Sequence, residues 1–220
     1  MKQNQFTEQN IWEYCLEYTK PNSHILQALK VETEASVYGA QMLSETIVTK
    51  LLQFFIKVQK PKVCVDLGTF TGLSALAMAE AASDDTLIFT IDRVNQSGYE
   101  LAYKYIKQSS VGYKIKMLIQ EDIYAMADLP NSIDFIFIDA DKKQTQAYFD
   151  FLLPKLSLKG MIIVDDVLWR GQVLYPVDKR AKALDDFNQY ICSHPEVDNL
   201  ILPIRHGLHL ITRKYDKWNT

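Results

Sequence analysis

Six aspartates stand out among the chemically capable residues of this chain. Asp66, Asp92, Asp122, Asp139 and the pair Asp165-Asp166 close five short apolar runs, VCVDLG, TLIFTID, KIKMLIQED, IDFIFIDAD and GMIIVDDV. One such acid alone is most often a helix cap or a solvated loop residue. Five successive runs ending this way point to one shared destination. The first run leads into Gly68-Thr69-Phe70-Thr71-Gly72, and Asp92 follows Gly72 by twenty residues. At that spacing an acid after a second strand accepts hydrogen bonds from ribose hydroxyls. The turn lacks the full GxGxxG pattern and is weak evidence by itself. A pyrophosphate must come close to backbone amides at a helix N-terminus, and the charge of Asp66 and the bulk of Phe70 discourage an anion there. A cationic or zwitterionic nucleoside is the better electrostatic match, and S-adenosylmethionine is the evident candidate.

The elements that must position these acids are legible in the hydrophobic pattern. The first sixty residues read as helical, with breaks near Pro21 and Gly39. From Gln41 to Val58 the apolar residues Met42, Leu43, Ile47, Leu51, Leu52, Phe55 and Ile56 recur at helical spacing. After Pro61 the chain alternates: the strand-like acid-ended runs are interleaved with helical SALAMAEAA, YELAYKYIKQS and TQAYFDFLLPKL, the last broken late by Pro154. KRAKALDDFNQYICS then reads as a helix, and NLILPIRHGLHLITRK as two strands joined around His206-Gly207. The class is α/β, a doubly wound and mostly parallel sheet with an antiparallel C-terminal hairpin and a helical N-terminal extension. Residues 1–220 form one domain, with 1–60 as the helical cap region and 61–214 as the sheet-bearing core. Such a sheet binds its ligand outside the carboxyl ends of the strands, where the acids fall.

Composition narrows the function classes. The 220 residues are 48% apolar and 23% charged, as expected of a globular protein with a sizeable core. A net charge of -3 gives no broad footprint for nucleic acid or an anionic membrane. Cys15, Cys64 and Cys192 form no CxxC pair, so they suggest reduced thiols rather than a disulfide framework or thiolate metal site. The polar start MKQNQFTEQN lacks the apolar core of a signal peptide, and the apolar runs are far shorter than a membrane span. The expectation is a cytoplasmic protein without a membrane partner.

Five stretches, QMLSE (41 to 45), VDLGTFTG (65 to 72), FIDADK (137 to 142), IIVDDVLWRG (162 to 171) and LPIRHGL (202 to 208), carry a resemblance over nearly the whole chain. The sequence resembles the cation-dependent class I O-methyltransferases, the group of catechol and caffeoyl-CoA O-methyltransferases and their small bacterial relatives. FIDADK followed two dozen residues later by VDDVLWRG is the specific part; DLGTFTG alone would admit many methyltransferases. The resemblance implies a Rossmann-like methyltransferase fold, with S-adenosylmethionine and a divalent cation as cofactors: magnesium first, manganese or calcium otherwise.

Position by position, the resemblance gives Asp66 the methionine amino group of the cofactor and Asp92 the ribose hydroxyls, with Arg93 beside it. The turn Gly68, Thr69, Phe70, Gly72 would run under the sugar and methionine portions, where small residues let the backbone approach the ligand. Ser74 would assist the carboxylate or act only as a helix cap. Asp122 and Ile123 would border the adenine. Asp139, also at the cofactor, would join Asp165 and Asp166 as the metal ligands, hard oxygens suited to magnesium, manganese or calcium rather than zinc. The alternative for Asp165-Asp166 is a plain cap of the next segment. The family usually carries asparagine where this chain has Asp166, a change that adds negative charge. Lys142 matches the family's general base, with Asp139 as its catalytic companion. A lysine titrates near about 10.4 in water, so that role needs a nearby metal and buried surroundings to lower its pKa; otherwise Lys142 is a solvated side chain. Gln41, Trp169 and Arg170 fall on the acceptor side, Trp169 as an aromatic wall or simply as packing. Arg205 and His206 replace a less basic family pair, favouring an acidic acceptor or only facing water. His24, His194 and His209 read as structural.

The implied reaction transfers a methyl group to a hydroxyl of a catechol-like or hydroxycinnamoyl small molecule by SN2 displacement, with vicinal diols as natural chelating acceptors. The partners implied are that phenolic acceptor and, since relatives commonly form one, a second copy in a homodimer. Two other readings remain. One is methylation of a hydroxylated uridine in transfer RNA, as in some relatives, for which Lys57, Lys60 and Lys62, or Lys179, Arg180 and Lys182, offer only modest basic patches. The other is a cofactor-binding module that has lost catalysis, supported only by Asp166.

Overall fold

A computed structural model describes residues 8–93, 97–120 and 129–214. Three helices come first, α1 (Glu8–Glu17), α2 (His24–Ser36) and α3 (Thr46–Gln59). The core then runs β1 (Val63–Leu67), α4 (Leu73–Ala81), β2 (Leu87–Arg93), α5 (Tyr99–Gln108), β3 (Ile115–Gln120), β4 (Ile133–Ile138), α6 (Thr145–Leu152), β5 (Leu156–Asp165), α7 (Lys179–Ser193), β6 (Val197–Leu202) and β7 (Leu208–Arg213). The described strands form one seven-stranded sheet in the order β3-β2-β1-β4-β5-β7-β6. The first five are parallel; β7 runs antiparallel to both β5 and β6. Strand order reverses between β1 and β4, the switch point at which doubly wound sheets open a crevice. The expected α/β class, with its antiparallel C-terminal pair and helical extension, is what the chain adopts.

The near-continuous apolar runs are explained by burial on both faces of the sheet. Alternate residues of β4 go to opposite cores, Phe135 and Phe137 toward α2 to α5, Ile136 and Ile138 toward α6 and α7. Helix α4 is apolar all round and buried from Leu73 to Ala79 because α3 covers it on the side away from the sheet. Pro154 ends α6 in a 3-10 turn, as its missing N–H requires.

One helical stretch is shorter than its periodicity suggests. Residues 41–45 are not part of α3; Gly39 turns the chain at φ 87°, a 3-10 turn follows at Ala40–Met42, and α3 starts only at Thr46. The apolar spacing of Met42 and Leu43 is coincidental with that of the helix: Leu43 is buried in the core while Met42 stays exposed. The loop this frees lies over the crevice. Among the described residues no helix is long and apolar enough to cross a membrane.

Candidate active site

The carboxyl ends of β1, β2, β4 and β5 open on one cavity of about 580 Å³. At the β1 end the chain leaves the sheet through positive φ angles at Gly68 (112°), Phe70 (45°) and Gly72 (82°). The N–H groups of Gly68 and Thr69 still donate to Ile91 O at 2.9 and 3.3 Å, and Asp139 N–H donates to Leu67 O at 2.8 Å. The turn is thus stitched to both neighbouring strands. Its glycine at 68 is obligatory, since a Cβ there would lie 2.1 Å from Asp139 O.

Asp92 organises this end. Its Oδ2 accepts from Phe70 N–H and its Oδ1 from Arg93 N–H, both at 2.8 Å. Burial raises its pKa, against the pull of those two amides. Arg93 reaches across to Tyr148 Oη at 3.2 Å and to Asp141 at 3.8 Å. Both Asp92 and Arg93 line the cavity, as do Gly68, Thr69, Phe70 and Ser74. Gly72 lies behind the wall, packed on Ala102 of α5. Asp122 and Ile123 lie outside the described residues.

Asp66 is placed differently from a wall residue. It is 0% exposed and hidden beneath the turn. Thr90 Oγ1 donates to its Oδ2 at 2.6 Å, and Thr69 Oγ1 lies 2.8 Å from Thr90 Oγ1. Burial pushes its carboxyl up to about 7, with the Thr90 and Ser74 hydroxyls opposing the rise. Among the described residues Oδ1 has no hydrogen-bond partner, and an amino group is the kind of donor such an orphan accepts.

Next to the turn, beyond the end of β4, lies a charge cluster. Lys142 follows β4 in a 3-10 turn and is buried. Its Nζ lies 2.6 Å from Asp139 Oδ1 and 3.6 Å from Asp166 Oδ2, and donates to Asp165 O at 3.1 Å. Burial alone would lower its pKa, but the carboxylates of Asp139, Asp166 and Asp165 outweigh that and raise it. The burial expected of a lysine base is therefore present, and its effect on the proton is reversed. Asp165 is 0% exposed; burial raises its pKa, and the neighbouring Asp139 and Asp166 add to the rise. Asp166 adopts a φ of 64°, the left-handed region that Asp and Asn tolerate better than most residues.

This cluster meets some of the requirements of a divalent cation. Among the described residues no three carboxylate, imidazole or thiolate groups are gathered as a ready metal cage. Yet Asp165 Oδ2 and Asp166 Oδ1 are buried with no hydrogen-bond donor among the described residues. Two orphaned hard oxygens on adjacent residues fit such an ion in chemistry, and Asp139 stands across Lys142 from them. Asp139 and Asp166 line the cavity and Asp165 supports them from behind.

Gln41, Trp169 and Arg170 also reach the wall. Trp169 (φ 44°) and Arg170 (φ 56°) hold strained backbone in the loop after β5. Trp169 Nε1 donates to Asp178 Oδ2 at 3.3 Å, and Arg180 lies 5.9 Å from its ring centroid. Arg180 thus belongs to the cavity rather than to an outlying basic patch. The residues that sequence reasoning passed over are Thr90, Tyr148 and Glu45. Thr90 and Tyr148 sit inside apolar runs with no periodic signal to mark them. Arg205 was visible as a departure, but not its position: it points inward, toward Asp165 and Asp166. His209 is buried between Asn188 and Asn199, and His194 packs on Phe149 and Tyr190, both structural as expected.

The O-methyltransferase family model matches residues 16–214. A tapetum-specific methyltransferase of Arabidopsis thaliana is 31% identical, over 91% of this chain and 92% of its own. A probable caffeoyl-CoA O-methyltransferase of Dictyostelium discoideum is 29% identical, over 93% and 91%. Among solved structures, a Podospora anserina methyltransferase with SAH bound superposes with a TM-score of 0.87 at 24% identity, covering 98% of each chain. A Bacillus cereus O-methyltransferase in complex with SAH gives 0.82 at 21% identity, over 93% of this chain and 97% of that one. At such identities the structural likeness is one of fold.

Proposed function

The chain belongs to the family of S-adenosylmethionine-dependent O-methyltransferases, and from that premise we propose that it methylates a hydroxyl of a catechol-like or hydroxycinnamoyl small molecule with the help of a divalent cation. One observation carries this reading. The turn from Gly68 to Thr71 with Asp92, and the cluster of Asp139, Lys142 and Asp166, line one cavity, with Trp169 on its wall.

At the cofactor end, Asp92 is locked by two backbone amides and turns its remaining lone pairs to the ribose hydroxyls. Ser74 lines the wall beside the turn, placed for the methionine carboxylate. Asp66, sealed beneath the turn and off the cavity wall, would act through Thr90 and Thr69 by fixing the turn rather than by holding the methionine amino group. At the acceptor end, Trp169 offers an aromatic face to a phenol ring. Lys142, held charged by three carboxylates, favours the oxyanion form of the acceptor hydroxyl rather than removing its proton, which leaves to solvent. The oxyanion then attacks the sulfonium methyl in line; the carbon–sulfur bond breaks and S-adenosylhomocysteine leaves. The main aid is positioning of the two reactants in one enclosed space. Asp139, Asp165 and Asp166 would hold a divalent cation, which when bound supplies positive charge for the acceptor oxygens.

The test is a panel of catechols, hydroxycinnamoyl thioesters and bulk transfer RNA, assayed for methyl transfer with EDTA and with added magnesium. Turnover of a vicinal diol that falls with EDTA and returns with magnesium is the expected result. Cofactor binding with no diol turned over would end the small-molecule reading, and turnover of transfer RNA alone would replace it.

A further inference from the structure

Arg205 is the cavity residue that neither cofactor binding nor acceptor packing explains. It sits in the turn between β6 and β7 at a φ of 55°, with its side chain only 9% exposed. That turn is pinned to the loop after β5. Val167 N–H donates to Gly207 O at 3.1 Å and Leu168 N–H to His206 O at 2.7 Å. A Cβ on Gly207 would meet the Leu168 side chain at 2.4 Å, so the two segments cannot be packed closer. The guanidinium is therefore carried to the end of β5 by the fold itself.

Its contacts with the acids are ion pairs rather than hydrogen bonds, while its Nη2 donates to Gln41 O at 3.5 Å. Nη1 lies 4.0 Å from Asp165 Oδ2 and 3.8 Å from Asp166 Oδ1, while Nε lies 3.3 Å from Glu45 Oε1. Those two carboxylate oxygens, together with Arg205 Nε and Nη1, are buried atoms lacking a hydrogen-bond partner among the described residues. The arginine neutralises the pair without using their lone pairs. Glu45, whose side chain is 42% exposed, gives the guanidinium a second anion toward the rim.

We propose that Arg205 is a built-in competitor for the divalent cation: it supplies standing positive charge to Asp165 and Asp166, so this chain binds the ion weakly and admits it as the guanidinium withdraws toward Glu45. The inference rests on the assignment of Asp139, Asp165 and Asp166 as the cation ligands. A guanidinium within 4.0 Å of the carboxylate oxygens a cation would use repels that ion at the effective dielectric of a partly buried site, and removing it should tighten binding of the ion by at least roughly tenfold. The experiment is a titration of Mn2+ against the full chain, followed by electron paramagnetic resonance, for wild type, Arg205→Lys, Arg205→Gln and Asp166→Asn. Cofactor affinity by calorimetry reports that each variant is folded. Affinity for Mn2+ is expected to rise in the order wild type, Arg205→Lys, Arg205→Gln, because the lysine keeps the charge but reaches less far. Asp166→Asn is expected to weaken it. If Arg205→Gln does not fold, tightening by Arg205→Lys carries the proposal and its absence overturns it. Arginine variants that bind Mn2+ no more tightly, beside a weakened Asp166→Asn, overturn the competition while leaving the cation site in place. Indifference of all four proteins to Mn2+ overturns the site and the competition together.

Discussion

Gly68 joins the cofactor turn to the acceptor acids, and Gly68→Ala is the perturbation that measures the join. The residue holds a φ of 112°, and its added Cβ would stand 2.1 Å from Asp139 O and 2.7 Å from Asp139 C. Both obstacles are backbone, so no rotamer change relieves them. Ordinary contact begins near 3.4 Å, which forces the ends of β1 and β4 apart by more than about 1 Å, given how closely such interiors are packed. The hydrogen bond from Asp139 N–H to Leu67 O, now 2.8 Å, would stretch or break. A non-glycine residue in a disfavoured backbone region costs about 1–3 kcal/mol, and overpacking costs about 1–3 kcal/mol more. Taken together these give a loss of roughly 4 kcal/mol, or about 8–16 °C in Tm for a chain of this size. Thermal unfolding and calorimetric titration with S-adenosylhomocysteine measure the two consequences. Both stability and cofactor affinity should fall, since the same shift opens the turn and displaces Asp139. A variant melting within about 2 °C of wild type and binding the product normally would refute the idea that the turn and the acid share one rigid backbone contact.

Two further outcomes concern pH. Asp66 is raised from 3.8 to about 7 by burial, so the unfolded chain loses that proton before the folded one does. Its contribution to stability falls as pH climbs from about 4 to 7, by an upper bound of about 4 kcal/mol. Denaturant unfolding should therefore find Asp66→Asn gaining on wild type between pH 5 and 8; an unchanged gap would count against a carboxyl raised this far. His209 moves the other way, lowered from 6.5 to about 4 by burial. The unfolded chain binds its proton first as pH falls, so stability is lost from about 6.5 down to 4, and His209→Asn should flatten that slope in the same unfolding experiment, with an unflattened slope assigning the loss elsewhere.

The fold was legible because its signals are periodic. Runs such as FIFI and MIIV are apolar at every position only where both faces are covered, and Phe135, Ile136, Phe137 and Ile138 do divide between two cores. Helix α7 matches KRAKALDDFNQYICS residue for residue. What period and propensity cannot carry is depth. Asp66 and Asp92 close equivalent strands with equivalent patterns, yet Asp92 lines the cavity and Asp66 is sealed beneath Thr90 and the turn. The loop 41–45 was hidden for a related reason. Its apolar residues keep helical spacing by chance, and only the positive φ of Gly39 and the late start of α3 reveal it as cavity wall. Lys142 shows that burial was foreseeable but its sign was not, because the sign depends on three carboxylates that come from two different strands.

The two positions that the sequence resemblance marks as unusual, Asp166 and Arg205, stand far apart in sequence and read there as unrelated. In space they are 3.8 Å apart. The backbone at Asp166, with φ 64°, restricts the position to residues that tolerate the left-handed region, chiefly glycine, asparagine and aspartate. Within that set, aspartate in place of the asparagine that the resemblance leads one to expect keeps the conformation and adds one negative charge beside the buried Asp165 and the half-buried Asp139. An uncompensated buried charge of that kind is strongly destabilising. The guanidinium of Arg205, delivered by the β6–β7 turn, offsets it without donating to any of the oxygens a cation would need. If the proposed cation site holds, the acid and the arginine act as a balanced pair: the first would draw a divalent ion more strongly, and the second would restrain it.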